Sequence, residues 1–430
     1  MLDTPSEPWT IQLELGLEGR LDEERLRSAV GDAITRHPMA RVRQLPARPN
    51  DKTWWWEVAP GPDVDPLRVV ECPGESSLTA ARGELYSRPV PLVEAPPFRL
   101  WLVRGQQRDR LLLDATHAAF DGFGCLRLLQ SVARAYRGDP DPIPAVDLTE
   151  ARDVMRLLRA GDAKGRSRRV RLLGSKAIDL VRPPARLADE GGSPAPGYGF
   201  HHQVLSEDQT AGLDKESGPT VNELLLAALH LGVQAWNDAH RRETDRVGVL
   251  VPVNLRPKEW RQDVVTNFVL DARVLTTSAE RTTPQRVLEA VSAQSRQIKE
   301  GAGPALIELL KPWSGLPLWA KQPLSPFLSL AGRLVDTAVL SNLSVLREPP
   351  DFGEEAGQTI EAFFSAPTRM PCGLSIGAVT VGGRLHLSFR YRHPQFDQAA
   401  AGRFADRFVA ELERVAGDQP ATSRRTSRRG

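Results

Sequence analysis

One stretch of this chain leaves little freedom in how it folds. Leu111 to Thr116 reads as a strand that ends at His117, and Asp121-Gly122 follow at a turn. From Phe123, the residues Leu126, Leu129, Val132, Ala133 and Tyr136 then recur at helical spacing until Gly138. A strand, a short loop and an amphipathic helix in that order must lay the helix back on the sheet, which leaves the imidazole at the strand's end. Histidine accepts a proton near neutral pH, and a ring carried by a strand end has its aim fixed by the sheet. Asp121, at the turn, is better placed to lock the loop than to react.

The flanking sequence alternates strands with amphipathic helices. Trp9 to Leu17 places Ile11, Leu13 and Leu15 on one face, as a half-buried strand does. Asp22 then N-caps a helix along Leu26, Ala29, Val30, Ala33 and Ile34, which stops before Pro38. Trp54 to Val58 reads as a strand. After the proline-broken stretch Pro91 to Pro97, Phe98, Leu100 and Leu102 alternate as another. A first lobe over residues 1–150 is expected to end there. Residues 151–198 read as a basic connector, because residues 152–186 hold eleven Lys/Arg against three Asp, followed by the turn-rich Asp189 to Gly197.

A second lobe over residues 199–418 opens with strand-like Phe200 to Leu205 and a helix, Val221 to Trp236, announced by the capping box Thr220/Glu223. Arg246 to Val253 is nearly all apolar and predicts a buried strand; Phe268 to Val274 predicts a second, and Thr283-Pro284 starts a helix. Residues 302–335 are apolar and rich in Leu, Pro and Trp but have no clean period. Strands over Thr337–Ser344, Thr359–Ser365, Leu374–Val381 and Leu385–Tyr391 follow, the last two joined at Gly382-Gly383, and Asp397 precedes a final helix. Residues 419–430 read as a disordered basic tail. The fold class is α+β, a mixed α/β arrangement.

Several functions are disfavoured. The opening MLDTPSEPWT has no basic start and apolar run, and no stretch is long and apolar enough to span a membrane, so a cytoplasmic protein is expected. Cys72, Cys125 and Cys372 are far apart, and His201-His202 lacks a third ligand at a useful spacing, so neither a disulfide framework nor a metal site is expected. The basic connector has no interleaved aromatics, which argues against nucleic acid. Gly373-Leu374-Ser375-Ile376-Gly377 satisfies the serine hydrolase pattern, but an elbow needs a strand, a turn and a helix, whereas Ser375 is followed by more strand. Hydrolysis through Ser375 stands as a minor alternative.

With these residues in view, the sequence resembles the CoA-dependent acyltransferase superfamily: chloramphenicol acetyltransferases, BAHD acyltransferases, peptide-synthetase condensation domains, and bacterial wax-ester and polyketide-associated acyltransferases. The resemblance rests on His117-x-x-x-Asp121-Gly122, on Arg20-Leu21-Asp22 with Arg36-His37-Pro38, and on Pro97-Phe98-Arg99-Leu100. In the second lobe it rests on Val251 to Pro257 with Asn267-Phe268, and on Ser341-Asn342-Leu343. It implies two chloramphenicol-acetyltransferase-like lobes forming a pseudo-dimer around a central tunnel. An acyl thioester enters one face, on CoA or on the phosphopantetheine of an acyl or peptidyl carrier protein. The hydroxyl or amine of a lipid or natural product enters the other.

The same resemblance makes His117 the general base and Asp121 structural, paired with Arg256, with Gly122 in support. Ser341 or Asn342 would donate to the oxyanion. It implies a monomer with no covalent acyl-enzyme and no cofactor besides the thioester co-substrate. Many members carry a second histidine where this chain has Thr116, and Asp351-Phe352-Gly353 resembles the start of a BAHD motif without its ending. A catalytically silent relative that binds a carrier protein or ligand is the alternative of a different class.

Overall fold

A computed structural model describes residues 7–143, 182–214, 218–256, 260, 263–299, 315–321 and 336–418. Most of the basic connector, most of residues 302–335 and the C-terminal tail lie outside that set. The elements run β1 (Thr10–Leu17), α1 (Glu23–Arg36), β2 (Val42–Gln44), β3 (Trp56–Val58), β4 (Leu67–Glu71), α2 (Glu75–Tyr86), β5 (Phe98–Arg104), β6 (Asp109–Thr116) and α3 (Gly122–Arg137). They continue as β7 (Tyr198–Val204), α4 (Glu207–Ala211), α5 (Val221–Ala239), β8 (Arg246–Asn254), β9 (Val269–Thr277), α6 (Pro284–Lys299), α7 (Leu318–Lys321), β10 (Ala338–Val345), β11 (Thr359–Ser365), β12 (Leu374–Val381), β13 (Arg384–Arg392) and α8 (Gln398–Gly417).

The described residues are mixed α/β, built on two large sheets and the two-stranded β2–β3 hairpin. The first has the order β11-β1-β6-β5-β4 and the second β7-β13-β12-β10-β8-β9. In the first, β1 and β6 are antiparallel with Leu13 opposite Leu113 and Leu15 opposite Leu111, which aligns one apolar face. That face packs on the buried stripes of α1 and α3. The N-caps Asp22, Asp121, Thr220 and Asp397 all accept from a main-chain N–H of the first helical turn, as their residue types and positions require. Strand β11 comes from late in the chain yet pairs with β1, so the first sheet is completed by residues more than 340 positions away.

Three departures from the sequence reading have physical causes. Strand β1 is buried on both faces rather than one, because the polar side carrying Thr10, Gln12 and Glu14 is also covered. Glu14 is tolerated there by Arg82 of α2, whose Nε and Nη2 donate to it at 2.8 and 2.7 Å. Against the desolvation of full burial, that guanidinium holds the Glu14 carboxyl down at about 2. Strand β8 is buried only over Val247 to Val249, because β10 pairs with it at just Val249 and Leu250 and the ladder ends there. Elements β4 and α2 fill a region the periodicity did not resolve. Leu78, Ala81, Leu85 and Tyr86 of α2 cover the outer side of β5 and β6 through Trp101, Val103 and Leu112.

Candidate active site

Strand β6 lies in the interior of its sheet, paired on both sides, and delivers His117 from its C-terminal end. The loop that follows is tightly tied. His117 N–H donates to Trp9 O at 3.0 Å, and the N–H groups of Ala119 and Phe120 both donate to Thr116 O at 3.1 Å. The half-buried imidazole stands 6.1 Å from the Trp9 ring, and its Nδ1 lies 2.7 Å from Phe120 O. A carbonyl oxygen can only accept, so in this contact Nδ1 carries the proton. In the neutral ring Nε2 is then the bare lone pair, and it has no hydrogen-bond partner among the described residues.

Asp121 turns away from this ring and is saturated. Its Oδ1 accepts from Gly124 N at 2.8 Å and Arg256 Nη2 at 2.9 Å; its Oδ2 accepts from Arg256 Nη1 at 2.6 Å and Phe268 N at 2.8 Å. The two side chains are 2% and 1% exposed. Arg256 also donates to the carbonyls of Val264 and Thr266, at 3.2 and 2.9 Å. A buried carboxylate needs this many donors to offset its desolvation, and the planar guanidinium supplies two along one edge. The arrangement fastens the turn between β8 and β9 onto the start of α3.

Gly122 sits where α3 presses on β10 and β11. A Cβ there would fall 2.6 Å from Leu343 Cδ2 and 2.8 Å from the Phe364 ring. Leu343 follows Ser341 and Asn342 on β10, so that strand end abuts the first turn of α3. Ser341 is buried, and Asn342 Oδ1 accepts from Ser344 N at 2.8 Å. Neither is hydrogen-bonded to His117 or Asp121 among the described residues. Two further residues belong to the site. Asn267 Nδ2 donates to the main-chain oxygen of His117. At Gly124 a Cβ would lie 2.7 Å from Thr266 O. The sequence held Asn267 only as part of a resemblance, and no local signal marks Gly124, whose constraint comes from a chain segment about 140 residues on.

The competing motifs take structural places. Ser375 is fully buried within β12 with no turn or helix after it, so it cannot serve as an exposed nucleophile. His202 of β7 stacks on Phe363 at 4.0 Å, and burial together with nearby Arg82 lowers its pKa well below the ordinary histidine value. No group of His, Cys, Asp and Glu among the described residues is arranged to hold a metal ion. Asp351 pairs with Arg137 and Phe352 packs on Tyr136, so Asp351-Phe352-Gly353 is a turn clamped to the end of α3.

Residues 11–193 match the wax ester synthase/diacylglycerol acyltransferase catalytic domain. The chain is 36% identical over 406 residues to uncharacterized protein Rv2305 of Mycobacterium tuberculosis, covering 92% of each. Among solved structures, the first condensation domain of the calcium-dependent antibiotic synthetase is similar over 97% of this chain and 93% of that one, with a TM-score of 0.73 and 19% identity. The starter condensation domain of rhizomide synthetase in complex with C8-CoA is similar over 97% and 91%, with a TM-score of 0.66 and 13% identity. At these identities the structural likenesses bear on the fold.

Proposed function

The chain belongs to the CoA-dependent acyltransferase superfamily, and from that premise we propose that it moves an acyl group from a thioester to the hydroxyl or amine of a lipid or natural-product acceptor. One observation carries this reading: Nδ1 of His117 is committed to Phe120 O, which leaves the Nε2 lone pair for an incoming proton. As the acceptor oxygen or nitrogen attacks the thioester carbonyl, its proton passes to Nε2 and the carbonyl becomes a tetrahedral oxyanion. Collapse expels the thiolate, which takes the proton back from the imidazolium and leaves as free thiol. Such a base contributes about 10²- to 10⁴-fold.

Asp121 touches no reacting atom in this scheme. With Arg256, Gly122 and Gly124 it keeps the loop rigid, so that the ring needs no reorganisation when substrate arrives. Ser341 or Asn342, at the strand end beside Gly122, is our candidate donor to the oxyanion. The donor carries CoA or a carrier-protein pantetheine, which present the same thioester.

The test is thiol release from a panel of acyl-CoAs of increasing chain length, with and without a long-chain alcohol, a diacylglycerol or an amine. Acceptor-dependent release that His117→Ala abolishes supports the reading. Acceptor-dependent release equal in the variant defeats the role of His117, and no release above background leaves a binding protein. Release without acceptor indicates hydrolysis.

A further inference from the structure

The Asp121–Arg256 pair fastens the loop after His117, but the imidazole itself packs beside the entry to β1. Trp9 O accepts from His117 N–H at 3.0 Å, and the Trp9 indole stands 6.1 Å from the imidazole with the two planes tilted by 41°. Both residues are half-buried, whereas Thr10 and Thr116 next to them are buried. Over the indole lies the guanidinium of Arg369, its central carbon 4.5 Å from the ring centroid. Arg369 is only 3% exposed. A cation so far from water gains from the negative face of an aromatic ring, and an indole offers the strongest such face.

The segment around Trp9 is fixed by residues from late in the chain. Arg369 lies in the connection from β11 to β12, where it forms an isolated antiparallel bridge with Cys372. Met370 N–H donates to the Glu7 carboxylate at 3.0 Å, and Arg390 Nη1 donates to Thr10 O at 2.9 Å. Tyr198, whose ring carries the Arg390 guanidinium at 3.8 Å, donates its O–H to Thr368 O at 2.7 Å. Trp9 is thus tied down through its chain neighbours on both sides. The imidazole has one side-chain hydrogen bond, from Nδ1 to Phe120 O at 2.7 Å. That bond alone does not stop the ring from turning over about Cβ–Cγ, which would put Cδ2 where Nδ1 stands. A rigid indole packed against the ring resists the turn by steric contact.

We propose that Trp9 is a positioning residue for His117, itself held by Arg369, and that the pair keeps the imidazole in the rotamer and Nδ1–H tautomer that leave Nε2 for the acceptor's proton. The kinetic consequence rests on the acyl-transfer reading; the orientation of the ring can be measured without any acyl substrate.

The test is the nitrogen-15 spectrum of the His117 ring in the full chain labelled at histidine, with His117→Ala supplying the assignment. Wild type is compared with Trp9→Phe, Trp9→Ala, Arg369→Lys and Arg369→Met. At mildly alkaline pH the wild type should show a single Nδ1–H tautomer, with ring protons shifted by the indole. Trp9→Ala should lose that shift and mix the two tautomers, and Arg369→Met should mix them as well. Trp9→Phe and Arg369→Lys, which keep an aromatic face and a cation, should retain one tautomer. In acyl transfer, Trp9→Ala should lower kcat about 10²-fold with KM nearly unchanged, and Trp9→Phe should recover most of the loss. Thermal unfolding identifies any variant that fails to fold, and Arg369→Met carries the test if Trp9→Ala does. Mixed tautomers in the wild type, or an unchanged His117 spectrum in folded Trp9→Ala or folded Arg369→Met, would overturn the proposal. So would a loss confined to KM, which makes Trp9 a wall for substrate instead. Wild-type protein with the single tautomer but no acyl transfer defeats the acyl-transfer reading and leaves the role of Trp9 in place.

Discussion

Asp121 and Arg256 lie 135 positions apart in the chain and meet in a two-toothed ion pair at 2.6 and 2.9 Å, with both side chains almost fully buried. The pair is the clamp between the loop that carries His117 and the turn between β8 and β9. Removing one member leaves the other charge buried and unpaired. Arg256→Ala should therefore destabilise the protein by about 3–5 kcal/mol in urea unfolding. Asp121→Asn combined with Arg256→Ala should cost less than the sum of the two single changes, because the double variant strands no charge.

His117→Ala is expected to behave oppositely. Its ring makes one side-chain hydrogen bond, to Phe120 O, so unfolding should shift by no more than about 1 kcal/mol. Acyl transfer should fall by about 10²- to 10⁴-fold. A variant with unchanged turnover would remove His117 from the mechanism.

The glycines at the start of α3 separate two kinds of close contact. Gly122→Ala presses on side chains, Leu343 and Phe364, which can rotate aside at a cost of about 1–3 kcal/mol. Gly124→Ala presses on the carbonyl of Thr266, which the Arg256 and Asp121 hydrogen bonds hold in place. The second change should lower activity more than the first at matched stability, measured by steady-state kinetics beside thermal unfolding.

The buried polar face of β1 and β6 sets a pH dependence of stability. Burial pushes the Asp114 carboxyl from 3.8 up to about 7, in spite of nearby Arg390 and Arg99. Folded protein then holds more protons at this site than unfolded protein across that window. The Asp114 contribution thus weakens the fold as pH rises from about 4 toward 7. Glu14 works the other way: its carboxyl is lowered from 4.5 to about 2, so its contribution is present above 4.5 and lost as pH falls toward 2. Asp114→Asn keeps an acceptor for Gln12 Nε2 and should stabilise the protein at pH 8 more than at pH 4, by urea unfolding. Equal effects at the two pH values would refute this account.

Much of the fold could be read from periodicity and punctuation. The α1 stripe Leu26, Ala29, Val30, Ala33 and Ile34 is buried as its spacing predicts, and Thr220/Glu223 form the capping box their spacing announces. The buried face of α2 carries Arg82 among Leu78, Ala81, Leu85 and Tyr86, so its apolar period is weaker than that of α1. What could not be read depends on opposing layers. Nothing local to Thr10, Gln12 and Glu14 says that their face is covered, because the cover is Arg82 and residues of β7 and β13. The order His117, Asp121, Gly122 was visible in one line of sequence. The contribution of Asn267 and Thr266 exists only once the two segments touch.

Strand β11 fills the rim of a sheet otherwise made by the first hundred or so residues, lying antiparallel to β1 from Gln12–Ser365 to Leu17–Thr359. Any fragment that stops short of residue 359 strips β1 of half its ladder and bares a row of hungry amides and carbonyls beside Leu13 and Leu15. Such a piece would seek strands from its neighbours and come out of the ribosome as a candidate for inclusion bodies. Splitting this molecule at its midpoint is therefore no route to two working halves; a split-protein reporter would have to keep residues 359–365 with the N-terminal portion.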